Sequence, residues 1–496
     1  MIRALQPGAW RANRAEPRMY IRGFDQLAAS VKQAVGWVYP PTILPGRKTL
    51  RAPLIRRLAI TALVTASAGC TVHPPGEHEE RAAALQAGKP FETRFEVRQL
   101  PPLPENPTPD QLVDYALLSN AELEQHYWEW RSAIDQIPQD GTQSSTLNLS
   151  AGTSITNGRP GWATTTIGLS NDPMTDIKWP GKLDAAARQA LENARAAGRR
   201  FVKAKYQLRN KLLSVYYNYA LNAELIRLEQ SNQQLLQTAA AVTQSRNRAG
   251  SSSQLDVLRS SNEVDISTND IASMQSQLTG QRAAINALLG RRAGAPLPTP
   301  TELPPARSIV YGDSELIELA AKQNPELLAL ADEIRARGNG VQLAKLQYIP
   351  DFNFSAGTDL MGVTQSVLGQ ATIPIFRYEA FNAAIAQAEA NLRSAEAMRR
   401  QTGNDLAAEV VADITTIRDS DRQLDLFEQA ILPRARQAVD LTRAAYETGH
   451  ATLLDLLGGQ RSLIAIERMI ANLRVSREKY LVDLETITTI HVSQQS

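Results

Sequence analysis

Cysteine is almost absent: the 496-residue chain has one, Cys70. A lone cysteine excludes a disulfide framework and any metal site built from cysteine pairs. Histidine is scarce too. The chain has five, and no two stand in the H-x-x-x-H spacing that puts both imidazoles on one helical face. Charge of one sign is also missing. With 53 Lys+Arg against 51 Asp+Glu, the formal net charge is +2, without the basic excess of a general nucleic-acid binder. Long hydrophobic runs are lacking. The longest, Leu58–Ala68, has eleven residues, short of the roughly 18 needed for a membrane-spanning helix. The seven methionines form no cluster suggesting a copper or silver path. These absences weigh against an enzyme, a zinc protein and a helical membrane transporter. No cofactor and no nucleic-acid partner is implied.

The short apolar run has a reading of its own. Arg56-Arg57 precedes it, and Ser67-Ala68-Gly69-Cys70 follows it. A basic stretch, a short apolar stretch and small residues make a secretory signal. The ending resembles a bacterial lipobox, in which the cysteine is lipidated and becomes the first mature residue, although Ser67 stands where leucine is usual. The alternative is an idle or buried cysteine behind an ordinary signal. Thr71 follows Cys70 in place of the Asp that retains lipoproteins at the inner membrane, which favours the outer membrane. Residues 1–49 read as a non-native extension from a start assigned too far upstream, and residues 50–69 as the signal.

Proline is distributed unevenly. Pro74 to Pro109 holds eight of the 27, so residues 70–107 read as an extended, lipid-anchored linker. Between Pro180 and Pro296 there is none, and after Pro374 only Pro433. Proline costs roughly 3 kcal/mol inside a helix, so these clear stretches are where long helices fit. Leu208, Leu212, Val215 and Tyr219 step at helical spacing, as do Leu406, Val410, Ile414 and Ile417. Gly250 and Gly449 interrupt the two stretches once each. The expected helices run near 181–247, 252–292, 379–447 and 452–492. Helices this long with narrow apolar seams must pack side by side.

Three segments recur in order. Leu147-Asn-Leu-Ser-Ala-Gly-Thr153 returns as Phe352-Asn-Phe-Ser-Ala-Gly-Thr358. Asn120-Ala-Glu-Leu123 returns as Asn324-Pro-Glu-Leu327. Gly250-x5-Asp256-Val-Leu returns as Gly449-x5-Asp455-Leu-Leu. This reads as an internal duplication, with repeats at 108–305 and 306–496. Each repeat would hold a short helix, two strands and a long helical hairpin. The strands alternate apolar with small or polar residues, as transmembrane barrel strands do; a half-buried hairpin in a soluble sandwich is the alternative. Four strands cannot close a barrel, and an open edge is forbidden in lipid. Membrane strands would therefore be shared between chains. Eight strands make a filled barrel, whereas twelve leave room for a pore.

The run Tyr446-Glu-Thr-Gly449-His-Ala-Thr-Leu-Leu-Asp455-Leu-Leu-Gly-Gly-Gln-Arg461 resembles a motif of the TolC-type outer-membrane efflux proteins. Arg248-Ala249-Gly250 through Asp256-Val257-Leu258 resembles its first-half copy, and Ile431-Leu432-Pro433 is a further shared run. The resemblance covers roughly 108–492. It implies a mainly α fold with a transmembrane β contribution. Helical coiled-coil hairpins would form a trimeric α-barrel, and four strands per chain would share a twelve-stranded β-barrel. The function it implies is a passive channel from periplasm to exterior in a tripartite efflux system. The partners would be two further copies, outer-membrane lipids, a periplasmic adaptor and an inner-membrane transporter. Pro180-Gly181-Lys182-Leu183 resembles the metal-efflux branch.

The resemblance also suggests the site residues. Arg248, Gly250 and Gly449 mark the periplasmic turns where an adaptor would dock. Asp256, Asp455 and Tyr446 are aperture or gate candidates, because acids ringed in a trimer repel one another and attract cations. Asp256 and Asp455 are equally suited to the first turn of a helix, where the macrodipole favours acids. Ala451 and Gly458 depart from the family, standing where it has an arginine partner and a ring acid. Trp162 and Trp179 flank the first hairpin, at a membrane interface or packed; Trp128 and Trp130 are expected in the core. Two other functions fit the sequence: the exit duct of a type I protein secretion system, or a lipid-anchored periplasmic scaffold without a pore.

Overall fold

The computed structural model describes residues 71–143, 146–156, 159–171, 177–359, 365–373 and 377–495. Cys70 and the signal segment lie outside them. Helix α1 (Glu77–Ala87) is followed by α2 (Pro109–Ser119) and α3 (Ala121–Gly141), strands β1 (Leu147–Thr156) and β2 (Arg159–Asn171), and the long hairpin α4 (Pro180–Arg248) and α5 (Gln254–Leu288). After β3 (Arg307–Ile309) come α6 (Asp313–Gln323), α7 (Pro325–Leu346), β4 (Asp351–Asp359) and β5 (Gln365–Thr372). Then follow α8 (Tyr378–Leu426), α9 (Leu432–Thr448), α10 (Leu453–Thr488) and β6 (Ser493–Gln495).

Helix α4 has 69 residues, roughly 100 Å at 1.5 Å per residue. Its one proline is Pro180 at the first helical position, where the missing N–H costs nothing. Leu208, Leu212 and Tyr219 are buried, and Val215 packs against them, in a core shared with Ile134, Phe201, Ile285 and Val482. Val410, Ile414 and Ile417 of α8 form a second cluster with α6 and α10. Full burial of each such aliphatic side chain contributes about 1.5–3 kcal/mol. Among the described residues, no helix is long and apolar enough to cross a membrane.

Several details differ from the expectations. The segment after Cys70 is no bare linker: α1 forms in the proline-free stretch between Pro75 and Pro90, and Ala84 and Phe91 enter the core. Each strand pair is preceded by two short helices, with breaks at Asn120 and Asn324. Pro433 is accommodated by a π-helical turn at Phe427–Ile431. There the Leu432 N–H reaches back to Phe427, which widens the helix just before the residue that lacks a donor. Helix α10 stops at Thr488, before the left-handed Thr489 (φ 57°). Strand β6 then pairs with β3, each only three residues long, below what alternation can reveal. Trp130 is buried, but Trp128 is 44% exposed, lying edge-on to the buried Tyr127.

The larger sheet is antiparallel in the order β1-β2-β4-β5. Paired residues share a face, so register defines the faces directly. One row is Leu149–Leu169–Ala356–Val367 and the next is Ala151–Ile167–Thr358–Gln365. The opposite face carries Asn148, Ser170, Ser355 and Leu368 in one row, and Ser150, Gly168, Gly357 and Ser366 in another. Leu149 and Val367 are each 75% exposed. Within the single chain, β1 and β5 are edges.

Candidate functional site

The turns joining the long helices are built alike. Gly250 (φ +74°) follows α4, and Gly449 (φ +83°) follows α9. Positive φ is what glycine supplies at this position. Ser251 N–H donates to the Arg246 carbonyl (2.9 Å), and His450 N–H to the Ala445 carbonyl (2.8 Å), which closes each helix end. Three residues after each glycine, Ser253 and Thr452 cap the next helix.

Both candidate acids take part in these caps. Asp256 N–H donates to Ser253 Oγ (3.1 Å), while Ser253 N–H and Oγ–H donate to Asp256 Oδ2 (3.2 and 2.7 Å). Asp455 N–H donates to Thr452 Oγ1 (3.2 Å), and Thr452 N–H and Oγ1–H donate to Asp455 Oδ2 (3.0 and 2.6 Å). These are reciprocal capping boxes. The Ser253 hydroxyl, then its backbone N–H, the Ser252 hydroxyl and Arg259 hold the Asp256 carboxyl below its ordinary range. The Thr452 hydroxyl and N–H do the same for Asp455. Their contribution is therefore present above the ordinary carboxylate range and lost as pH falls through the depressed values. Replacing either Asp with Ala is expected to speed amide exchange in its turn at neutral pH. The two proteins should converge in strongly acidic buffer; equal exchange at neutral pH would remove the cap.

Tyr446 joins the two hairpins of one chain. It is buried in the last turn of α9, in a cluster with Leu236 and Ala239 of α4 and Leu453, Leu456 and Leu457 of α10. Its hydroxyl lies 2.8 Å from Thr243 Oγ1. The Thr243 hydroxyl also donates to the Ala239 carbonyl (2.8 Å), so Tyr446 is the donor to Thr243. Arg246 Nη1 donates to the Tyr446 carbonyl (2.8 Å), and its guanidinium lies 5.0 Å from the Tyr446 ring centroid. The sequence reading named Arg248, which is exposed. It missed Arg246, two residues earlier, because its duplicate position is Ala445. Farther from the turns, the buried Glu229 of α4 accepts from Ser267 of α5 (2.7 Å) and from Arg468 of α10. Arg461 of α10 pairs with Glu263 of α5. No spacing rule announces these cross-hairpin ties.

At the other end, the sheet is seated on the helices. Lys182 Nζ donates to Asp351 Oδ1 (2.8 Å), and the Trp179 ring lies 6.3 Å from that of Phe352. Trp179, Tyr348, Phe352 and Tyr378 are all exposed at this level. The Trp162 side chain lies outside the described residues. Val72 N–H donates to the Gly141 carbonyl (2.9 Å), and the Thr71 and Thr142 hydroxyl oxygens lie 3.1 Å apart, within hydrogen-bond distance. The chain just after Cys70 is thus fastened where α3 turns toward β1. Among the described residues, no group of three or more His, Cys, Asp or Glu side chains is gathered as a metal site.

Residues 316–489 match the family model described as outer membrane efflux protein. The chain is 21% identical over 405 residues to the cation efflux system protein CusC of Escherichia coli, covering 76% of this chain and 85% of that protein. It is 22% identical over 406 residues to the probable outer membrane lipoprotein SilC of Salmonella typhimurium, covering 77% and 85%. The solved Campylobacter jejuni CmeC outer membrane channel shares the fold, with a TM-score of 0.67 at 13% identity, over 92% of this chain and 95% of that one. By these matches residues 316–489 are similar to the outer membrane efflux proteins, and the chain shares the fold of solved outer membrane channels.

Proposed function

We propose that the chain is the outer-membrane channel of a tripartite efflux system. Three copies would form a passive conduit from periplasm to exterior. The observation that carries this reading is the sheet. It is open at both edges and exposes a mostly apolar face on one side and, apart from Leu368, mainly small or polar residues on the other, above helices roughly 100 Å long. Edges in lipid must be paired, and three copies supply the twelve strands that leave a lumen. Lipid would cover Leu149 and Val367, and the serine, glycine and threonine face would line the pore. Exposed Trp179, Tyr348 and Tyr378 suit the interface with water.

Cys70 is read as the lipid anchor. The fastening of Thr71 and Val72 to Thr142 and Gly141, where α3 turns toward β1, supports this. A related protein named a probable outer membrane lipoprotein supports it as well. The repeats at 108–305 and 306–496 each contribute one strand pair and one hairpin. The turns at Gly250 and Gly449, with Arg248 and the exposed Leu255, Leu258 and Leu454 beside them, form the face for a periplasmic adaptor, which in turn meets an inner-membrane transporter. Cap and aperture roles of Asp256 and Asp455 are compatible. The cap bonds named above fall on Oδ2, and each carboxylate keeps a second oxygen for the lumen. Native mass spectrometry of detergent extracts from outer membranes tests the reading. The expected species is a trimer of lipidated chains beginning at Cys70. An unmodified monomer would leave the sheet edges unpaired and favour the scaffold.

A further inference from the structure

A buried carboxyl group between α8 and α10 has one oxygen enclosed without a partner. Asp413 is 6% exposed, and its Oδ2 is enclosed and accepts no hydrogen bond. Val410, Ile414 and Ile417 on the same helix pack against Leu316, Leu481 and Leu484, so the surroundings are largely apolar. The charges that face it share its sign: Asp483 on α10 and Glu409 on α8. Asp483 is held in place by Asn210 of α4. Asp405, Glu409 and Asp483 line an adjoining groove of about 640 Å³.

The nearby cations are committed elsewhere. Lys203 of α4 pairs with Glu326 of α7 (2.9 Å), and Lys211 of α4 with Glu122 of α3 (2.9 Å). On α6, Lys322 pairs with Glu318, and Asp313 with Arg418. Among the described residues, none of these bases pairs with Asp413. An ionised carboxylate here is costly, because its Oδ2 has neither water nor donor and the group faces two like charges; a neutral carboxyl is tolerated.

We propose that Asp413 is a protonation-controlled fastener, which lets α8 and α10 close over it when neutral and drives that seam open when ionised. The inference concerns the single chain and stands apart from its reading as a conduit. Burial, then Asp483, then Glu409 push the Asp413 pKa up to about 7. In an opened seam the group returns to the ordinary carboxylate range, near 3.9. The closed seam therefore holds the proton more tightly. Its stability is full at or below the ordinary carboxylate range, falls as pH rises, and levels off once pH passes about 7. Helix α8 leads through the π turn to α9 and the Gly449 turn, so the seam sets how firmly that hairpin is held at its root.

Amide hydrogen exchange of the full chain in detergent, followed by mass spectrometry and corrected for intrinsic rates, tests this. In the unaltered protein, protection of peptides over 406–418 and 479–488 is expected to fall about tenfold per pH unit from roughly pH 5 to 7, then level off. Asp413→Asn should remove the fall. Asp483→Asn keeps the carboxyl but removes one like charge, so the fall should persist and level off at a lower pH. A flat profile in the unaltered protein, or an unchanged fall in Asp413→Asn, overturns the proposal. Should Asp413→Asn fail to fold, the Asp483→Asn profile decides: a shifted plateau supports the fastener, and an unshifted one overturns it.

Discussion

Leu149→Arg is expected to abolish trimers in the outer membrane, whereas Gln370→Arg is expected to leave them intact. Both positions are exposed in the single chain, so neither substitution opens a cavity or breaks a core contact. They differ only in face. Leu149 shares its row with Leu169, Ala356 and Val367, while Gln370 pairs with Asn353 on the opposite side. A soluble sheet would treat the two arginines nearly alike. In a barrel, one faces hydrocarbon and the other faces water. A lipid-facing arginine near the bilayer midplane costs roughly 2–4 kcal/mol, and threefold symmetry repeats that cost in every copy. Native mass spectra and trimer yield in detergent read the difference. Normal trimer yield from Leu149→Arg, or equal loss from both variants, would remove the assignment of faces to lipid and lumen.

What could be read from sequence was what the backbone enforces. The recurring Asn120 and Asn324 illustrate this. Each side chain caps a short helix, Asn120 Oδ1 accepting from Leu123 N–H and Asn324 Oδ1 from Leu327 N–H. Each also donates to the end of a returning long helix, at the Leu288 and Ile487 carbonyls (2.9 and 3.0 Å). Asparagine can do both because it carries an acceptor and a donor. The turn glycines were visible for a similar reason, since a positive φ tolerates few other residues. The caps were half visible: the glycine-to-aspartate spacing stood out, whereas the serine or threonine midway between them, which completes the box, passed unnoticed. The cross-hairpin ties were not legible. Arg246 on Tyr446, Arg468 on Glu229 and Arg461 on Glu263 join residues roughly 200 positions apart, and a charge on a long polar helix carries no mark of its partner. Trp128 was misjudged because the stripe buried on α3 is carried by Leu123, Tyr127, Trp130, Ile134 and Ile137, which leaves position 128 on its outer side.

Tyr446→Ala is expected to loosen the hairpin ends and raise basal conductance across planar bilayers, Arg246→Ala to do so less, and Tyr446→Phe least. Removing a buried aromatic side chain costs about 3–5 kcal/mol. Losing only the hydroxyl strands one acceptor on the fully buried Thr243, at about 1 kcal/mol. Arg246 contributes a hydrogen bond and a partly screened cation–π contact, about 1–2 kcal/mol together. The energies shift a closed–open balance only insofar as the contacts exist in one state and not the other. A latch made between α4 and α9 has that property, because separating the hairpins breaks all three contacts at once. The geometry also fixes how the substitutions combine. Arg246 bonds the Tyr446 carbonyl and ring, not its hydroxyl, so Arg246→Ala with Tyr446→Phe should add. With Tyr446→Ala the ring contact is already gone, so the pair should fall short of the sum. Conductance that rises equally in all three variants would mean general destabilisation of the hairpins. Unchanged conductance in Tyr446→Ala would move the aperture away from this cluster and toward the other candidates, Asp256 and Asp455.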